Sequence, residues 1–170
     1  MPKLSTRLIH GALAGGLAAA CMTVIRMTAR RRGVIEKTVP QAAEEWLAHR
    51  TGIGRGAPPV VHHLADQALH LGYGATLGAA YALATRGRSR NLAARGLAFG
   101  VGAWFCGSWL LLPLLGAKPA AWRKRASQNL VDLVAHLVFG AATAVVAEGL
   151  AAQSNRGPSS DWTRRLTRVG

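Results

Sequence analysis

Two pairs of ionisable residues, Asp66 with His70 and Asp132 with His136, stand in stretches otherwise made of Ala, Leu, Gly and Val. A four-residue spacing puts carboxylate and imidazole one helical turn apart on one face. That arrangement is open to three kinds of chemistry. A carboxylate can hold a ring N–H and fix its orientation, which builds structure. Histidine titrates near neutral pH, so two pairs at one depth could pass a proton or small cation. Two imidazoles and two carboxylates also form a donor set that suits zinc, manganese or iron. The expectation is structural: each aspartate sits near a helix start, where free backbone N–H groups and the dipole favour a carboxylate. The histidines would then bond across the second and fourth apolar helices. Proton or small-ion movement at that interface is the alternative. His62 and His63 extend the polar stripe, but only Thr76 and Thr143 lie between it and Glu148 at the far end. A metal site ranks third, and no cofactor is otherwise implied.

Four long apolar segments must position these residues. Leu8 to Ile25 carries His10 alone as an ionisable group, Gln67 to Thr85 carries His70, Gly96 to Ala117 has only the Cys106 thiol, and Leu133 to Ala147 carries His136. A bilayer core needs about 20 helical residues, and these segments are apolar all round rather than on one stripe. The sequence therefore predicts an all-α membrane protein with four transmembrane helices, over about 8–28, 66–85, 96–116 and 130–151. Lys3 and Arg7 followed by an apolar run resemble a signal peptide, but the chain stays apolar past Cys21, which favours an uncleaved first helix. Cys21 and Cys106 are expected to be small buried thiols.

The second pair belongs to a longer echo. "HLADQALHLGYGA" at 63–75 aligns with "NLVDLVAHLVFGA" at 129–141, and Gly11, Gly15 and Cys21 share their spacing with Gly96, Gly100 and Cys106. Two tandem helix hairpins result, and an even number of spans per unit makes them parallel repeats. Helices 2 and 4 must then run in the same direction. Small residues four apart, Gly11 and Gly15, Gly74 and Gly78, Gly96 and Gly100, Gly140 and Ala144, mark faces where helix backbones approach closely, within a bundle or a homodimer.

Between the first two spans, 39–51 is expected to form a short amphipathic helix at the interface, with Thr38 as N-cap and Gly52 as its stop. Residues 153–170 make a basic polar tail in which Trp162 can reach the interface. The formal net charge is +14, yet the basic residues flank the apolar segments instead of forming one patch, so anionic lipid and not nucleic acid is the implied partner. They divide evenly between the two sides and set no orientation. The sequence has no phosphate-binding loop, C-x-x-C or nucleophile elbow, so no enzymatic activity is expected.

"GLAFGVGAWFCGSWLLLPLLGAKPA" at 96–120, followed by "DLVAHLVFGA", resembles the YagU-like family of bacterial inner-membrane proteins, a domain of unknown function. The glycine-spaced helix, the Leu-Pro-Leu-Leu-Gly exit at 112–116, His136, and His70 in "HLGYG" carry the resemblance, which covers roughly 66–150. It implies an integral inner-membrane protein; the residues themselves lead to the expectation of a multi-pass protein with a structural or partner-binding role, in contact with lipid and with itself or another membrane protein. The resemblance brings no established catalytic residues.

Overall fold

The computed structural model describes residues 3–35, 39–52, 56–85, 91–114, 116 and 125–155, and all its regular structure is helical. In chain order these are α1 (Leu4–Arg31), α2 (Val39–Thr51), α3 (Pro59–Ala84), α4 (Leu92–Trp104), a π-helical segment (Phe105–Leu111), α5 (Leu112–Leu114) and α6 (Ala126–Asn155). Two of them, α1 and α6, are long and apolar enough to cross a membrane. The helix expected at 39–51 is present with those bounds. Its Thr38 cap, Trp162 and most of the tail lie outside the described residues.

Helix ends follow local rules. Gly33 adopts φ 70°, and the Gly33 and Val34 N–H groups bond back to the Arg30 and Ala29 carbonyls, which closes α1 with a Schellman motif. Pro59 occupies the first turn of α3, where its missing N–H costs nothing. Asn91 caps α4 by accepting the Ala94 N–H at 3.1 Å. Pro113 cannot donate to a carbonyl one turn back and its ring crowds that turn. The wide π-helical turns stand just before it, over Phe105–Leu111.

The helices are longer than the apolar segments. α3 begins at Pro59 and α6 at Ala126, so Asp66 and Asp132 lie roughly two turns inside rather than at the starts. The free N–H groups of a helix start end before that point. The dipole account of these carboxylates is therefore corrected, and Asp132 takes its compensation from the Arg26 side chain.

Glycine decides which helices meet. A methyl group built on Gly74 would fall 2.6 Å from Ala19 Cβ, and one on Gly78 would fall 2.7 Å from Gly15 N. Gly11, Gly15, Gly74 and Gly78 thus let α1 and α3 touch backbone to backbone. Gly96, Gly100 and Gly140 do the same for α4 and α6, with Ala144 beside Gly96 and the His136 backbone beside Gly100. α1 joins the two pairs by packing along α6: Ala18, Ala19 and Met22 meet Ala135 and Phe139, while Ala14 meets Ala144 and Ala147. Rising numbers on α1 meet falling numbers on both α3 and α6, so α3 and α6 run in the same direction. They touch only marginally, however, because α1 stands between them.

The partition of side chains is inverted relative to a water-soluble bundle. Buried hydrophobic positions are mostly alanine, and Arg26, Asp66, His70, Ser108, Asp132, His136 and Thr143 are buried among them. Large apolar residues face outward on every long helix, among them Ile9, Leu13, Leu17, Leu64, Leu97, Val101, Leu130 and Val145. Water would oppose that arrangement by about 25 cal/mol for each Å² of apolar surface left exposed.

Candidate functional site

The interior polar cluster is built where α1 ends and α3 and α6 begin. Arg26, one turn and a half from the end of α1, reaches across to Asp132 on α6, Nη2 to Oδ1 at 3.4 Å, and both side chains are almost fully enclosed. His136 follows Asp132 by one turn, and its Nδ1–H donates to the Asp132 backbone carbonyl at 2.6 Å. His70 comes from α3, and its Nε2–H donates to the Ala19 carbonyl of α1 at 3.1 Å. A carbonyl can only accept, so these bonds place the proton on Nδ1 of His136 and on Nε2 of His70.

Asp66, His70, Asp132 and His136 are therefore all buried, as a structural role requires, but their work differs from the expected scheme. The rings bond backbone carbonyls: His70 ties α3 to α1, His136 bonds back within α6, and α1 is tied to α6 by the Arg26–Asp132 pair. The expected bridge between the second and fourth apolar helices is replaced by two bridges through α1. Among the described residues no group of three or more His, Cys, Asp or Glu side chains converges as a metal would need.

Sequence reasoning missed Arg26, which it counted only among the basic residues flanking the apolar segments. A signal was available: Gly11, Gly15, Ala18, Met22, Arg26 and Ala29 recur every three or four residues and form the inward face of α1. It also missed the second ion pair, Arg95 of α4 with Glu148 of α6 at 3.3 Å, toward the opposite end of the bundle. Arg7 donates to the Ala82 carbonyl at that same end. Between the two polar ends stands an aromatic run. Tyr81 meets Phe99 edge to face at 5.1 Å, and Phe99 stacks on Phe139 at 6.0 Å. Beside it Thr143, fully buried, donates back to the Phe139 carbonyl.

Both cysteines correct the sequence expectation. Cys21 and Cys106 are exposed on the outer surface and not buried in the core. If these outer faces meet lipid, a water-soluble maleimide added to cell membranes should leave both thiols unlabelled and label them after solubilisation in SDS, read by intact mass. Full labelling before solubilisation would place these faces in water.

Compared with protein-family models, with curated proteins and with solved structures, the chain matches none.

Proposed function

We propose that this chain is a multi-pass integral inner-membrane protein, without enzymatic activity, that serves a structural or partner-binding role. The observation that carries the proposal is the inverted partition: leucine, valine and isoleucine outside, alanine, glycine and ionisable residues inside. Lipid solvates the first set and cannot hydrogen-bond the second. In this reading α1, α3, the continuous run from α4 through α5, and α6 are the four spans, with α2 at the interface. The two glycine crossings and the shared direction of α3 and α6 support two parallel helix hairpins. The resemblance to the YagU-like family is part of the same proposal. Its partners are the bilayer and a second copy or another membrane protein, with no nucleic acid.

The chain should stay in the membrane pellet after alkaline carbonate washing and leave it only with detergent. Release by carbonate would remove the proposal. Purification from native membrane, with identification of co-purifying proteins, lipids and metals, then tests the partner-binding role.

A second reading, proton or small-cation movement, is favoured by one observation, the enclosed Arg26, Asp132, His136 and His70 cluster. The packed Phe139, Phe99 and Tyr81 rings oppose it, since they stand between that cluster and Glu148. An Asp66→Asn, Asp132→Asn variant separates the two. A structural role lowers thermal stability in detergent, whereas a conducting role leaves the fold intact and abolishes proton or cation flux into liposomes.

A further inference from the structure

The interior cluster leaves three hydrogen-bonding positions open, and their senses fit one molecule. Arg26 spends Nη2 on Asp132, while its Nε–H is buried with no partner among the described residues. His70 spends Nε2–H on the Ala19 carbonyl, and His136 spends Nδ1–H on the Asp132 carbonyl. The other ring nitrogens, His70 Nδ1 and His136 Nε2, therefore carry lone pairs that accept. No side chain among the described residues donates to either. All three residues are at least nine-tenths buried, with 3%, 9% and 8% of their surface exposed in the order Arg26, His70, His136. Open polar positions are costly in so enclosed a place.

Helix geometry brings the three positions together. The Ala19 carbonyl that holds His70 belongs to a residue that packs, with Met22, against Ala135 and Phe139, and these flank His136 on α6. Both rings thus stand at one level of α1. Arg26 lies one turn beyond Met22, and a helical side chain leans toward the N-terminus of its own helix, so the guanidinium leans back toward that level. α3 and α6 run opposite to α1, so their histidines lean toward Arg26. One donor and two acceptors, from three helices, face a common point.

We propose that one water molecule is held there, accepting from Arg26 Nε–H and donating one O–H to His70 Nδ1 and the other to His136 Nε2. A buried water makes about three hydrogen bonds, which is the number on offer. The senses disfavour other small occupants. A metal ion or ammonium gives Arg26 Nε–H no acceptor, and a halide gives the rings no donor. The water supplies the link between α3 and α6 that direct side-chain bonds do not make. It also joins the two imidazoles into one hydrogen-bonded unit, which proton exchange between them would require. A single enclosed water is a fixed bonding partner and not bulk solvent, so it screens the Arg26–Asp132 pair little. The site follows from side-chain geometry and does not depend on what covers the outer surface.

A crystal structure of the full chain that shows ordered water should place one within hydrogen-bond reach of all three nitrogens. Crystals grown in bromide and elemental analysis of protein purified without chelator give the competing outcomes. An anomalous peak at the cluster, or stoichiometric metal, overturns the water, and so does a direct bond from Arg26 to either ring. In detergent, nitrogen NMR of isotope-labelled histidines tests the sharing. His136→Phe puts an apolar ring where the water donates, and should shift the His70 Nδ1 signal toward that of an imidazole nitrogen that accepts no bond. His70→Phe should do the same to His136 Nε2. Thr143→Val, buried two turns beyond His136 on the same helix, is the control and should move neither signal. If each ring signal ignores the loss of the other ring, the two share no water and the proposal falls.

Discussion

Replacing Asp132 with alanine while Arg26 remains is expected to lower the unfolding free energy by about 3–5 kcal/mol, because it leaves a buried guanidinium without its ion-pair partner. Arg26 and Asp132 keep only 4% and 7% of their side-chain surface exposed, and Nη2 stands 3.4 Å from Oδ1, longer than a good charge-assisted bond. Arg26 Nε is buried without a hydrogen-bond partner among the described residues. A pair so imperfectly satisfied contributes little net stability, yet it is costly to break. The signature is non-additivity. Arg26→Met together with Asp132→Leu should recover most of what either single change loses, since the apolar pair removes both desolvated charges. Urea or SDS unfolding in detergent micelles gives all four corners of the cycle. Single variants within about 1 kcal/mol of wild type would mean that water or lipid headgroups reach the pair.

The same residues show what the amino-acid pattern could reveal and what it could not. Helix positions were legible because long apolar runs and the glycine spacings are one-dimensional features. The bounds of α2 were legible from Thr38 and Gly52. Facing was harder: a segment apolar all round has no polar side to mark the inside, and the cysteines were assigned inward on residue type alone. The glycines hold the missing information. With Gly11 and Gly15 at the contact, successive turns place Ala18, Met22 and Arg26 on the same face, while Cys21 falls roughly 280° around from Gly11 at about 100° per residue. Cys106 stands in the same relation to Gly96, and it too is exposed. Arg26 is thus recoverable from the packing stripe. Its choice of Asp132 over Asp66 is not, since that depends on which helix α1 meets at that depth. The π-helical turns before Pro113 are likewise a compromise between a lost hydrogen bond and ring crowding, and no spacing encodes how wide the helix opens.

Packing at the glycine crossings should give the other large effect, and its sign should reverse between glycines at a crossing and glycines that face open space. Gly140 faces the α4 backbone, and a Cβ there would sit 2.5 Å from Gly100 N and 2.7 Å from Gly100 Cα. Neither backbone can yield, because Gly96 and Gly100 are held in the same contact. Gly140→Ala is expected to force α4 and α6 apart and cost about 1–3 kcal/mol, the usual range for overpacking, and Gly140→Leu should leave little folded protein. Gly78→Ala, whose Cβ would lie 2.8 Å from Gly15 Cα, should do the same to α1 and α3. Gly16 and Gly102 face open space. Alanine there should stabilise by about 0.5–1 kcal/mol, since only the glycine's extra backbone freedom is removed. Thermal unfolding of the four alanine variants in one detergent decides the matter. If Gly140→Ala and Gly102→Ala shifted the midpoint alike, helix propensity and not backbone contact would govern these positions. The crossings would then lose their claim to hold the two helix pairs, and with it the reason for placing the large side chains outward.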